Sequence, residues 1–176
     1  MKFSFLKNFF CSDIAIDLGS EMVRVYVQDE GVKVSEPTLV AVKEMYPEKE
    51  FLQFGREAQK LIGRTPKGIE VVRPIKRGAI EEIQETEAII ESAMQHVVNK
   101  SFLRPSPKVL VAVSSSSSEV AKKALEDAVY NAGARDVDFI KKGLAGAIGA
   151  GIDITSEKPS CIIDIGGETT EIAVIA

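Results

Sequence analysis

Two short stretches of this 176-residue chain carry the residue types needed to hold an anion. Residues 14–27 read IAIDLGSEMVRVYV and residues 162–176 read IIDIGGETTEIAVIA. Each is an apolar run, an aspartate, an apolar residue, glycine, a small residue and a second run rich in Val and Ile. A strand that ends in Asp and turns on glycine sets a carboxylate beside exposed backbone N–H groups, and glycine lets those amides come close to an anion. Asp17 and Asp164 are the candidate holders of a hydrated Mg²⁺, a cation that keeps most of its waters and touches few protein oxygens. The turn residues Gly19, Ser20, Glu21 and Met22, with Gly166, Gly167, Glu168 and Thr169, are the candidate phosphate contacts. Two such hairpins facing each other would clamp the phosphates of a nucleotide from both sides. The plainer alternative is a pair of ordinary tight hairpins. One Asp-Leu-Gly-Ser is weak evidence, because many turns read that way; two copies at matching places in two strand pairs are far more specific.

The elements that must position these residues follow from periodicity. Residues 14–18 and 23–27 are β-like and joined at Gly19-Ser20, and residues 32–35 add a third strand after Gly31. Residues 38–42 and 51–54 are shorter strand candidates, and residues 56–62 a short helix ended by Gly63. The span 36–73 is richer in turns than its flanks and reads as an insertion. Residues 81–98 have helical periodicity, with Ile83, Ile90, Met94 and Val97 on the apolar stripe and Glu82, Glu85 and Glu91 off it. Residues 109–113 are a continuous apolar run, as in a parallel strand buried on both faces. The five serines 114–118 form a loop that ends as an N-cap, with Ser116 and Glu119 at capping-box spacing. A helix over 119–132 stops at Gly133, residues 137–140 are another strand, and 142–150 a helix. Gly143, Gly146 and Gly149 lower its propensity, so a neighbouring backbone must pack closely there. At Ser160 the meander begins again. The order is that of an α/β fold, a mixed sheet flanked by helices.

Composition limits the partners. A net charge of −4, few aromatics and no Trp argue against nucleic acid. Two cysteines far apart, Cys11 and Cys161, give no disulfide framework and fit a reduced compartment. His96 has no second histidine or cysteine cluster near it, so it makes no metal site alone. The opening MKFSFLKNFF lacks the apolar core and cleavage site of a signal peptide. As a helix it gathers Phe3, Leu6, Phe9 and Phe10 on one face, with Lys7 away from it, the pattern of an interfacial membrane helix. The alternative is a frayed end whose phenylalanines cover a core edge.

The succession IDLG, SEPTLVAV, FGREAQKLIGRTP, RPIKRGAI, FLRPSPKVLVAV, AGARDVDFI, AIGAG and DIGGETTEIAVI resembles the MreB family of bacterial actins over essentially the whole chain. DIGG-x-TTE alone points only to the wider set of actins, sugar kinases and DnaK-type chaperones; the RTP, RPIK-x-G and RPSP-x-VLV motifs narrow it. The resemblance implies ribonuclease-H-like halves around a cleft for ATP and Mg²⁺. It implies filaments that determine cell shape, attached through residues 1–10 to the inner face of the cell membrane, and cell-wall elongation proteins as partners. It maps residues 1–12 to a membrane segment, 13–35 and 74–150 to subdomain IA, 36–73 to subdomain IB and 151–176 to an incomplete subdomain IIA.

Three positions depart from the family. Where the family's first turn resembles DLGTANT, this chain has Glu21 and Met22. Where its second resembles DIGGGTTE, Glu168 replaces a glycine. Beside a phosphate, a carboxylate at about 4–5 Å costs roughly 3–4 kcal/mol at an effective dielectric of ~20 unless it turns to solvent or takes a proton. Where the family reads IEEP, with a Glu that orients the attacking water, this chain has Ile140-Lys141-Lys142-Gly143. Charged Lys142 accepts no proton; it is free to attract phosphate or to pair with Glu168. These changes weaken ATP and Mg²⁺ binding and remove hydrolysis. Two readings stand: a polymerising, self-associating cytoskeletal protein, or a non-hydrolysing module acting on filaments of a complete MreB homologue.

Overall fold

The computed structural model describes residues 13–45, 48–98 and 106–176. The amphipathic stretch expected over residues 1–10 lies outside them, as do Cys11 and Pro105. The chain opens as the expected meander: β1 (Ile14–Leu18), β2 (Met22–Val27) and β3 (Gly31–Pro37). Alternation sends Ile14, Ile16, Leu18, Val23, Val25 and Val27 to one buried face. The insertion then folds as β4 (Val40–Met45), β5 (Glu48–Phe54), the short helix α1 (Gly55–Gln59) and β6 (Ile69–Val72). These strands form their own antiparallel sheet in the order β5-β4-β6. Leu39, Ala41 and Ala58 make a small core there, while Val40 and Val42 join the main core. Strand β4 thus fastens the insertion to the body through alternate side chains.

A hairpin of two-residue strands, β7 (Ile75–Lys76) and β8 (Ala79–Ile80), leads into α2 (Ile83–Gln95), β9 (Lys108–Val113), α3 (Glu119–Asn131), β10 (Asp136–Lys141) and α4 (Lys142–Gly149). The main sheet runs β10-β9-β1-β2-β3; β10, β9 and β1 are parallel and the meander antiparallel. Ile89, Ile90 and Met94 of α2, with Leu125 and Val129 of α3, complete the core with the buried face of this sheet. Each such fully buried aliphatic contributes roughly 1.5–3 kcal/mol relative to exposure. The last two strands, β11 (Ser160–Ile165) and β12 (Thr170–Ile175), form a separate hairpin. Helix α4 packs between it and the ends of β9 and β10.

Several local expectations need correction. Strand β9 alternates instead of being buried throughout: Val109, Val111 and Val113 are buried, but Leu110 is 37% exposed, because α2 and α3 cover one face only. Glu85 is not on the solvent face of its helix. It is 1% exposed and paired with Lys49 of β5 at 2.5 Å, while Ile83 of the expected stripe is exposed. The N-cap of α3 is Ser118, whose Oγ accepts the Ala121 N–H at 3.2 Å; Ser116 bonds Ser114 instead. The helix expected over 56–62 ends as a helix at Gln59 and continues as tighter turns. Thr38 precedes β4 and has another task, described below. The small-residue helix does make close contacts: a methyl at Gly143 would stand 2.6 Å from Ala173 Cβ, and one at Gly146 3.3 Å from Ile162 Cδ1. Gly149 has open space around it, so the packing argument does not extend to it.

Candidate functional site

The two Asp-containing hairpins are built on one plan. In each, a four-residue turn is closed by the glycine N–H bonding to the carbonyl three residues on: Gly19 to Met22 at 3.0 Å, Gly166 to Thr169 at 2.8 Å. In each, the aspartate is the last but one residue of its strand and stands opposite the residue seven later, Asp17 opposite Arg24 and Asp164 opposite Glu171. The hairpins also meet. A methyl on Gly167 would fall 2.0 Å from Glu21 Cγ, so the two turns touch at their tips and only glycine fits. Asp17, Gly19, Ser20, Glu21, Met22, Lys142, Asp164, Gly166, Gly167, Glu168 and Thr169 all line one cavity of about 520 Å³. Every residue singled out as a candidate from sequence is therefore brought to one place. Among the described residues, the N–H groups of Ser20, Glu21, Gly167 and Glu168 donate to no backbone carbonyl.

Residues that sequence reasoning passed over hold this arrangement. Buried Thr38 donates its hydroxyl to Gly19 O at 2.7 Å and its N–H to Glu21 O at 3.0 Å, fixing the first turn from below. Arg73 bonds Ser20 O at 2.7 Å and pairs with Glu21 at 2.9 Å. The turn of the β7–β8 hairpin enters between the other two: the Arg77 N–H donates to Glu168 Oε2 at 2.6 Å and the Gly78 N–H to Ser20 Oγ at 3.3 Å. Arg77 has φ of 49°, left-handed for a residue that is not glycine, and its N–H is what meets Glu168. Arg24 was legible in principle, since the strand opposite Asp17 follows from hairpin register alone. Thr38, Arg73 and Arg77 carry no such signal.

The charges are already spoken for. Neither Glu21 nor Glu168 is left facing the cavity alone; Arg73 answers the first and the Arg77 N–H the second. Glu81 holds the Lys76 ammonium above its ordinary pKa, with a smaller upward push from Glu168. Lys142 does not pair with Glu168. Its Nζ lies 3.1 Å from Asp17 Oδ1 and donates to Leu18 O at 3.0 Å. The other oxygen of Asp17 stands 3.3 Å from Arg24. A hydrated Mg²⁺ at Asp17 fits these residues poorly, since two cationic groups already flank that carboxylate. Among the described residues, no three of His, Cys, Asp and Glu gather as a ligand cluster.

Solved structures with this architecture exist. The chain superposes on MreB5 of Spiroplasma citri bound to AMPPNP with a TM-score of 0.81 at 29% identity, covering 94% of this chain and 49% of that one. It superposes on the double helical filament of MamK with a TM-score of 0.73 at 16% identity, a likeness of fold alone. The mixed sheet and its twin hairpins are those of an actin-like protein. A family model for the MreB/Mbl protein matches residues 11–176, and the chain belongs to that family. It is 38% identical to the cell shape-determining protein MreB of Pasteurella multocida over all of its length, and 37% identical to that of Escherichia coli over 97% of it. It spans about half the length of the curated relatives it matches, 51% and 50% of these two.

Proposed function

We propose that this chain is a cytoskeletal protein of the MreB type, whose cleft holds an adenine nucleotide and which self-associates into filaments that determine cell shape. The observation that carries the reading is the pair of touching turns. Their residues Ser20, Glu21, Gly167 and Glu168, whose N–H groups have no backbone acceptor, all line one cavity of about 520 Å³, a setting suited to phosphate oxygens. The bound AMPPNP of the Spiroplasma citri relative supports it. On this reading residues 13–35 and 74–150 are subdomain IA, 36–73 subdomain IB and 151–176 the start of subdomain IIA. Residues 1–10 attach the chain to the inner face of the cell membrane. Among the described residues no helix is long and apolar enough to cross one. The chain's own groups hold the nucleotide but do not split it: Lys142, whose ammonium only donates, accepts no proton from an attacking water. Titration calorimetry with ATP, a phosphate-release assay and sedimentation with anionic liposomes test the three parts. Heat without phosphate release, and pelleting with liposomes, are expected; absence of any binding heat overturns the reading.

One observation favours a second reading. The outer face of the β11–β12 hairpin is apolar and open, with Ile163, Ile165, Ile172 and Val174 all exposed. A module that docks this face on a complete homologue would cap or modulate its filaments. Co-sedimentation with a complete MreB decides between them: a shift of the homologue's critical concentration supports the module, independent pelleting of this chain supports the filament.

A further inference from the structure

In the cleft, an ammonium already stands against the carboxylate expected to hold a divalent cation. Lys142 is the first residue of α4, one position beyond the Lys141–Val113 pairing of the β10–β9 ladder, and β9 lies beside β1 with Ala112 opposite Asp17. That ladder delivers its side chain, 19% exposed, across the strand ends to the last turn of β1. There the ammonium is held from two sides, by Asp17 Oδ1 at 3.1 Å and Leu18 O at 3.0 Å. An ammonium has three donors. Leu18 O takes one and Asp17 at most another, so a donor remains for an oxygen of whatever enters the cavity. A doubly charged ion placed against Asp17 would face this ammonium and the Arg24 guanidinium at short range, in a site where repulsion is poorly screened.

We infer that Lys142 replaces the metal, so that the cleft binds a nucleoside polyphosphate without a divalent cation. The inference rests on the nucleotide reading above. Asp17 then serves to orient the lysine instead of the waters of a metal, and Arg24 fixes the far oxygen of Asp17. The two carboxylates that would repel the phosphates are held elsewhere, Glu21 by Arg73 and Glu168 by the Arg77 N–H. The cavity keeps a net excess of acid, with Asp164 and Glu171 on the second hairpin. This directs the phosphate tail to the Lys142 side, nearer the first turn.

The test is titration of the full chain with ATP in EDTA and again in excess MgCl₂, read by calorimetry. Affinities within about twofold of each other in the two buffers are expected. Lys142→Gln should weaken binding in EDTA by about tenfold, the loss of one charge-assisted contact. Lys142→Arg, which keeps the charge, should retain most of it. Lys142→Glu should bind only when Mg²⁺ is present. Thermal melts of each variant identify any that fails to fold, and the Arg variant then carries the comparison. Binding by the parent chain that appears only on addition of Mg²⁺ overturns the inference and leaves the nucleotide site standing. Binding in neither buffer overturns both.

Discussion

At the scale of single residues, the contact between Gly167 and Glu21 is the most exposed to test. An alanine at 167 puts its methyl 2.0 Å from Glu21 Cγ and 3.0 Å from its Cβ; turning Glu21 about χ1 moves the Cγ at the cost of the Arg73 pair, while the Cβ, fixed by the backbone, stays close, so the turns must separate. Gly167→Ala is expected to raise the nucleotide Kd by about tenfold, ~1.4 kcal/mol. Adding Glu21→Gly should recover most of it. Calorimetry on the single and double variants reads the effect, and an unchanged Kd in the single variant would mean the turns are not in register contact. The residue identities at this site were legible: both aspartates, their glycines and the substituted Lys142 stand in the sequence. Their pairings were not. Glu168 could be read as facing phosphate, solvent or Lys142, and the choice was made by the N–H of Arg77, which no local pattern connects to it.

At the scale of elements, hairpins and long helices were legible, since alternation and glycine turns act within a few residues. Strands β7 and β8 were not, because two residues have no period. The N-cap at Ser118 was hidden among five serines that differ only in where the chain turns. Glu85 shows a third kind of miss. A helical wheel places it by its neighbours on α2, yet its position is decided by Lys49 on another sheet. That pair joins the insertion to the body. The Glu85 carboxylate, hydrogen-bonded to Lys49, holds the Lys49 ammonium above its ordinary pKa of 10.5. Folding therefore gains from the pair below about pH 10.5, and the gain is lost as pH rises through the raised value; between pH 6 and 9 it is constant. Lys49→Met strands a buried carboxylate and should lower the thermal midpoint by roughly 5 °C, less than for a fully enclosed pair since Lys49 is partly exposed. Lys49→Met with Glu85→Leu should regain most of that, and a double variant no better than the single would assign the loss to packing.

At the scale of the whole molecule, the body is well closed and the final hairpin is not. Its inner face meets α4 through Ala173 and Ile162, and its outer face carries four exposed aliphatics. Strand-edge and surface pairing follow from such a face. Changing Ile163 and Ile172, which stand opposite each other, to lysine should reduce self-association in sedimentation velocity, with the melting curve moving by no more than about 0.5 kcal/mol in stability. If association persists unchanged, it runs through another surface. The fold class was legible at this scale because the motif order spans the chain; the open face was not, because exposure depends on which neighbours are present. The twin hairpins also differ in a way their shared plan conceals. Asp17 looks across its ladder at Arg24, while Asp164 looks across at Glu171. Ionic strength must therefore act on the copies in opposite senses: added salt loosens the first, by screening an attraction, and tightens the second, by screening a repulsion.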